Sequence, residues 1–156
     1  QKNPGILMTN TKEWDMVVEL LRQQTFAVLG TSRQQHAYAS LVAFSATESG
    51  KSLYFATTRA TRKYHNLAID NKVSLLVDNR AEQNMPLYEA AAVTAYGVAE
   101  EINDQARSEA LQSYLVKHPQ LKHFATAPST AFFRINVEEY HLVQRFQNVT
   151  EFCINR

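Results

Sequence analysis

The chain has a single cysteine, Cys153, close to its end. One thiol excludes an internal disulfide, and without a second cysteine there is no cysteine-based metal motif, so a reducing, cytoplasmic setting is expected. An excess of charge of one sign is also lacking, because 16 Lys and Arg stand against 15 Asp and Glu. No overall field would hold such a chain on nucleic acid or on an anionic membrane, and any anion site must be local. No apolar run approaches the roughly 18 residues of a membrane span, and no basic stretch followed by an apolar core marks the beginning. The expectation is a soluble, unexported chain with neither nucleic-acid nor membrane partners. Internal repeats, low-complexity tracts and long charge blocks are missing as well.

What is present suffices for one core. The 156 residues are 45% hydrophobic, the size and composition of one domain. Residues 1–10 read as an extension and 11–156 as a single domain. Asn10 and Glu13 resemble a capping pair, and Trp14, Val17, Val18 and Leu21 follow at helical spacing, which predicts a helix over 11–23. Residues 25–31 and 37–45 are rich in β-branched, aromatic and small side chains around a polar turn at 32–35, the pattern of a β-hairpin. In the second run Tyr38, Ser40, Val42 and Phe44 face one way and Ala39, Leu41 and Ala43 the other. Neither face is strongly charged, so both are expected to be covered.

A turn at 48–51 leads to a strand at 52–58, which runs straight into a short helix capped by Thr61 and ended by Asp70 and Asn71. Further strands are predicted at 73–77, at 90–102 with a bulge at Gly97, and at 131–137 and 141–152 around a turn at Glu138 and Glu139. A third helix spans 104–117 and stops at His118 and Pro119, and 78–89 is a loop longer than most connections. About six strands and three helices, joined mainly as hairpins, argue against a parallel doubly wound sheet. They fit a mainly β, antiparallel barrel with peripheral helices.

The segment that carries most chemistry is 53–67. A strand ends in Thr57 and Thr58, and a helix begins at Thr61, Arg62 and Lys63. Unpaired N–H groups, threonine hydroxyls and two cations in that order make a phosphate-binding set. A threonine cap followed by basic residues is equally a common solvated helix start. The neighbouring strand favours the first reading, because backbone groups of Ser40, Leu41 and Val42 could hydrogen-bond a planar heterocycle one cofactor-length from Arg62 and Lys63.

Tyr38, Ala39, Ser40, Leu41 and Val42, then Leu53, Tyr54, Phe55, Ala56, Thr57 and Thr58, then Thr61, Arg62 and Lys63 resemble three successive stretches of the pyridoxamine-phosphate-oxidase-like split β-barrels. The likeness covers roughly residues 11–152. It implies an antiparallel split barrel that binds flavin mononucleotide (FMN) and forms a homodimer with the flavin sites at the subunit interface. Thr61, Arg62 and Lys63 would grip the phosphate, Ser40, Leu41 and Val42 the ring edge, and Ala56 and Thr57 would lie along the flavin. Asn66 extends the phosphate helix, and Phe146, on a strand that can approach the partner's flavin, is the aromatic residue implied at the site. The chain departs from authentic oxidases at Tyr38 and Ala43, where those carry basic residues. In 140–152 it also lacks their Arg and His arrangement for pyridoxal phosphate. The implied activity is therefore a flavin-dependent oxidoreductase acting on another small-molecule redox substrate.

The five histidines, His36, His65, His118, His123 and His141, show no metal-site spacing and read as structural or surface residues. His65 stands apart, one turn from the phosphate grip. No nucleophile elbow is present, which disfavours a hydrolase. No residue supplies an evident acid or base, as suits hydride or electron transfer by a flavin. The same absence suits a non-catalytic flavin-binding or electron-carrying module, and a haem-binding or haem-degrading split barrel is the third class.

Overall fold

Residues 11–154 are described by the computed structural model, so the expected extension and the Asn10 cap lie outside the described residues. The first helix, α1 (Thr11–Gln23), buries Val17, Leu20 and Leu21 in the main core. Trp14 on the same face packs edge-on against Tyr140 and Phe152, at centroid distances of 5.6 and 5.2 Å.

Seven strands follow: β1 (Phe26–Arg33), β2 (His36–Ala46), β3 (Ser52–Thr58), β4 (Lys72–Asp78), β5 (Ala91–Glu101), β6 (Thr130–Gln144) and β7 (Asn148–Cys153). Neighbours are antiparallel in the order β3-β2-β1-β4-β5-β6-β7, and β3 also pairs with β6. That pairing closes six strands into a barrel, so β3 is not left as the edge of an open sheet. Alternation fills its interior: Leu29, Phe44, Phe55, Leu75, Val93 and Ile135 point inward and are nearly inaccessible. Each such side chain contributes about 1.5–3 kcal/mol by leaving water.

Three further helices are α2 (Arg62–Ile69), α3 (Asp104–Lys117) and the short α4 (Lys122–Thr126). Helix α3 lies outside the barrel, where Ala110 and Tyr114 join Ala56, Ile102, Ala125 and Phe132 in a second apolar cluster.

The barrel is split between β2 and β3. These strands pair only at Phe44–Phe55, Ser45–Tyr54 and Ala46–Leu53, whereas β3 continues along β6 as far as Thr58. The β2 edge before Phe44 therefore has no strand on its β3 side. This corrects the expectation that both faces of β2 are covered: Leu41 is 64% exposed and Tyr38 37%.

The expected turn at Glu138 and Glu139 is also corrected. β6 runs through both residues, and the register shifts so that Tyr96 faces Glu139 while Gly97 faces Val137. Glu138 is the extra residue of a bulge, which lets two adjacent acids stay on a strand without turning it. The chain reverses instead at Arg145 and Phe146, both at positive φ. The bulge itself falls at Gly97, as expected, and the reason is close approach: a Cβ there would lie 2.2 Å from the Asn136 carbonyl oxygen.

Candidate cofactor site

The β3–α2 junction is built by hydroxyls. Thr61 has extended backbone, and its Oγ1 accepts the Tyr64 N–H at 3.2 Å, which caps α2. The same Oγ1 donates to the Thr58 carbonyl at 3.1 Å and lies 2.8 Å from Thr57 Oγ1. Thr57 is buried, so β3 carries its hydroxyl directly under the start of the helix.

Lys63 is the second residue of α2. It is half-buried, and among the described residues no hydrogen bond or ion pair engages its ammonium. Burial pulls the Lys63 ammonium below its ordinary range. A partly desolvated cation without a counterion is costly, and an anion brought to it would relieve that cost. Arg62 turns the other way. Its guanidinium stands 5.7 Å from the centre of the Tyr38 ring and lines a separate cavity of about 720 Å3 with Arg33, His36 and His65. The two cations thus flank the helix start from opposite sides.

On the Lys63 side, a cavity of about 250 Å3 occupies the split between β2 and β3. It brings together Leu41 and Val42 from β2, Ala56 and Thr57 from β3, and Thr61 and Lys63 from the junction. Ser40 adjoins on β2, with its hydroxyl buried and lacking a hydrogen-bond partner. Asn66 is 2% exposed and donates to Thr31 Oγ1 at 3.1 Å, so it ties α2 to β1 from below. Phe146 does not reach this cleft within one chain. It is 64% exposed in the β6–β7 turn, beside a different cavity of about 550 Å3.

Three residues that the sequence reading left aside complete the wall: Tyr114, Leu121 and Phe124. The Tyr114 hydroxyl donates to the Ala43 carbonyl at 3.0 Å, and burial pushes its pKa up to about 12. That bond pins α3 to the β2 edge where the split begins. Tyr114 had a faint signal, a hydroxyl on an otherwise apolar helix face that needs a partner once buried. Phe124 had none, since its helix is only five residues long. Arg59, next to the junction, is occupied elsewhere: it bonds Glu101 at 2.7 Å and the Pro128 carbonyl at 2.9 Å.

The phosphate of a mononucleotide fits this donor set. Thr57, Thr61 and Lys63 converge at the start of α2, and the open β2 edge at Ser40–Val42 offers backbone groups for a ring a short way off. Among the described residues, no group of three or more His, Cys, Asp or Glu side chains could hold a metal ion. None of their helices is long and apolar enough to cross a membrane.

A closed antiparallel barrel of six strands, split between β2 and β3, is the architecture of the split-barrel class. Residues 14–144 match the family model for pyridoxamine 5'-phosphate oxidase, and the chain belongs to that family. No protein with curated annotation matches it by sequence. Solved structures match it in fold. A haem-binding protein from Mycobacterium smegmatis superposes with a TM-score of 0.80 at 17% identity, over 90% of this chain and 57% of the other. ChuZ of Campylobacter jejuni gives 0.75 at 9% identity, over 94% of this chain and 60% of ChuZ. An FAD-binding protein from Mesorhizobium loti gives 0.64 at 18% identity, over 80% and 88%. The chain thus spans about three fifths of the first two. At these identities the likeness is one of fold.

Proposed function

We propose that this chain is an FMN-binding flavoprotein that acts as a flavin-dependent oxidoreductase on a small molecule, paired as a homodimer with the flavins at the subunit interface. The observation that carries the reading is the unpaired, half-buried Lys63 beside the Thr57–Thr61 hydroxyl pair at the opening of α2. Those groups would hold the phosphate, with Arg62 closing from the other side. Leu41 and Val42 would meet the ring edge, and the small Ala56 leaves room for the ring to lie along β3. The flavin, when bound, supplies the hydride or electron chemistry, while the protein positions it. Among the described residues no carboxylate or histidine lines the cleft, and the Tyr114 proton is held on Ala43. The chain's own role is therefore to orient reactants and exclude water.

What one chain leaves bare supports the pairing. Phe26 is 56% exposed and Leu41 64%, on adjacent strands, and Leu41 stands at the mouth of the cleft. A second copy on this face would cover both and roof the cofactor, and the exposed Phe146 suits reaching toward the partner's flavin. A haem-binding role is the second reading, favoured by the likeness to the mycobacterial haem-binding protein. Among the described residues no histidine, cysteine or methionine lines the cleft, which speaks against it.

Mass spectrometry of the group released from native protein tests the cofactor. FMN in near-equal amount with chain, reduced by NADH or NADPH with turnover of an acceptor, is the expected result. FMN without turnover would reduce the reading to a binding module. A Soret band on adding haem, with no flavin taken up, would overturn it.

A further inference from the structure

A larger cavity, of about 850 Å3, lies between α1, the β2–β3 turn and α3, and shares no lining residue with the proposed flavin cleft. Val18 and Leu21 of α1 and Val116 of α3 give it apolar walls. Two of the polar residues that line it are Ser45 and Lys117, and the first has no partner for its side chain. Ser45 is 3% exposed, and its hydroxyl has no hydrogen-bond partner. Strand alternation explains its position: Phe44 fills the barrel, so Ser45 points outward to the groove beneath α3.

Lys117 enters from α3. Its ammonium donates to the Leu21 carbonyl at 2.9 Å and stands 4.0 Å from the centre of the Phe44 ring. One carbonyl and one ring face leave ammonium protons over, and no carboxylate pairs with Lys117 among the described residues. Burial pulls its pKa down to about 8. Serving the last turn of α1 explains where the ammonium sits, but it does not explain the idle Ser45 hydroxyl beside the same groove. The remaining charged groups of the lining are engaged or few: Arg22 pairs with Glu19, Glu109 accepts from Gln105, and Glu48 stands on the turn.

We propose that this groove binds a small monocarboxylate with an apolar body, its carboxylate on Lys117 and Ser45 and its chain or ring against Val18, Leu21 and Val116. One ammonium and one hydroxyl match a single carboxylate. Glu48 and Glu109 on the same lining disfavour a dianion, and the apolar walls disfavour a fully hydrated anion. The site stands independently of the flavin reading.

Titrating the whole protein with octanoate and phenylacetate, each against its uncharged alcohol, tests it by calorimetry, with NMR shifts to map the site. The carboxylates should bind at least ten times more tightly than the alcohols and shift Val18, Ser45 and Val116. Ser45→Ala should weaken them several-fold, and Lys117→Met should erase the preference for carboxylate over alcohol. Equal binding of acid and alcohol, no binding of either acid, or shifts confined to the Leu41–Lys63 cleft would overturn the proposal. Ser45→Ala removes one oxygen from a folded strand, so the test survives if Lys117→Met proves unstable.

Discussion

The hydroxyls of Thr57 and Thr61 lie 2.8 Å apart across the turn that joins β3 to α2, and Thr61 at the same time caps the helix. One side chain therefore supports both the local fold and the proposed phosphate site. Thr61→Ala should cost about 1 kcal/mol of unfolding free energy and also weaken FMN, whereas Thr61→Ser should preserve both. Urea denaturation and flavin fluorescence titration read the two effects separately. An unchanged midpoint in Thr61→Ala would mean that the cap is idle.

Lys63 and Arg62 are adjacent in sequence but face different cavities, so their substitutions should not be equivalent. Lys63→Met removes an unpaired, partly desolvated charge, and stability should hold or rise slightly. Loss of a charge-assisted contact worth about 1.5–3 kcal/mol should raise the FMN dissociation constant roughly 10- to 150-fold. Arg62→Ala should weaken FMN less, because its guanidinium rests on Tyr38. If Arg62→Ala costs more affinity than Lys63→Met, the phosphate sits on the other side of the helix.

What could be foreseen from sequence was chemistry confined to a few consecutive residues. The Thr61 cap depends on a hydroxyl three residues before the N–H it accepts, and the Gly97 bulge on a residue without a Cβ. The β1–β2 hairpin followed from two strand-like runs around a polar turn, whereas the β1–β4 and β3–β6 pairings left no local trace. Glu138 and Glu139 misled because two adjacent acids suit a turn as well as a bulge, and only the partner strand decides between them. The exposure of Leu41 was hidden for a similar reason: how far β3 accompanies β2 is a matter of tertiary pairing. Tyr114 and Phe124 reach the cleft through the packing of α3 and α4, which leaves no periodic trace near residues 38–63.

Gly97 and Gly30 provide a matched pair for the barrel. A Cβ on Gly97 would meet Asn136 backbone oxygen at 2.2 Å, whereas one on Gly30 would meet the Ser74 hydroxyl at 2.5 Å. Backbone held in a ladder cannot step aside, but a serine side chain can rotate. Gly97→Ala should therefore destabilise by about 3 kcal/mol, and Gly30→Ala by clearly less. Chemical denaturation of both variants checks the order, and equal losses would show that β5 and β6 part more easily than their register implies.

His118 should set the acid limit of stability. It is 1% exposed, and its Nε2 donates to the Phe44 carbonyl at 2.7 Å. Burial holds its pKa below the ordinary 6.5, reinforced by the nearby Lys117 charge and only opposed by the Phe44 bond. In the unfolded chain the imidazole protonates near its ordinary value, while in the fold it does so only at lower pH. The unfolded state thus binds more protons in that interval, and stability rises with pH. The His118 contribution is full above about pH 6.5 and is lost as pH falls toward the folded value. Asp70 and Glu100, held low by hydrogen bonds from Lys72 and Ser32 and from Asn136 and Arg134, act with the same sign but below their ordinary 3.8 and 4.5. The region between about pH 5 and 7 therefore isolates His118. There the parent protein should lose thermal stability on acidification more steeply than His118→Gln, whose amide can donate to Phe44 but cannot titrate. Parallel melting curves for the two proteins would show that His118 takes up its proton without strain.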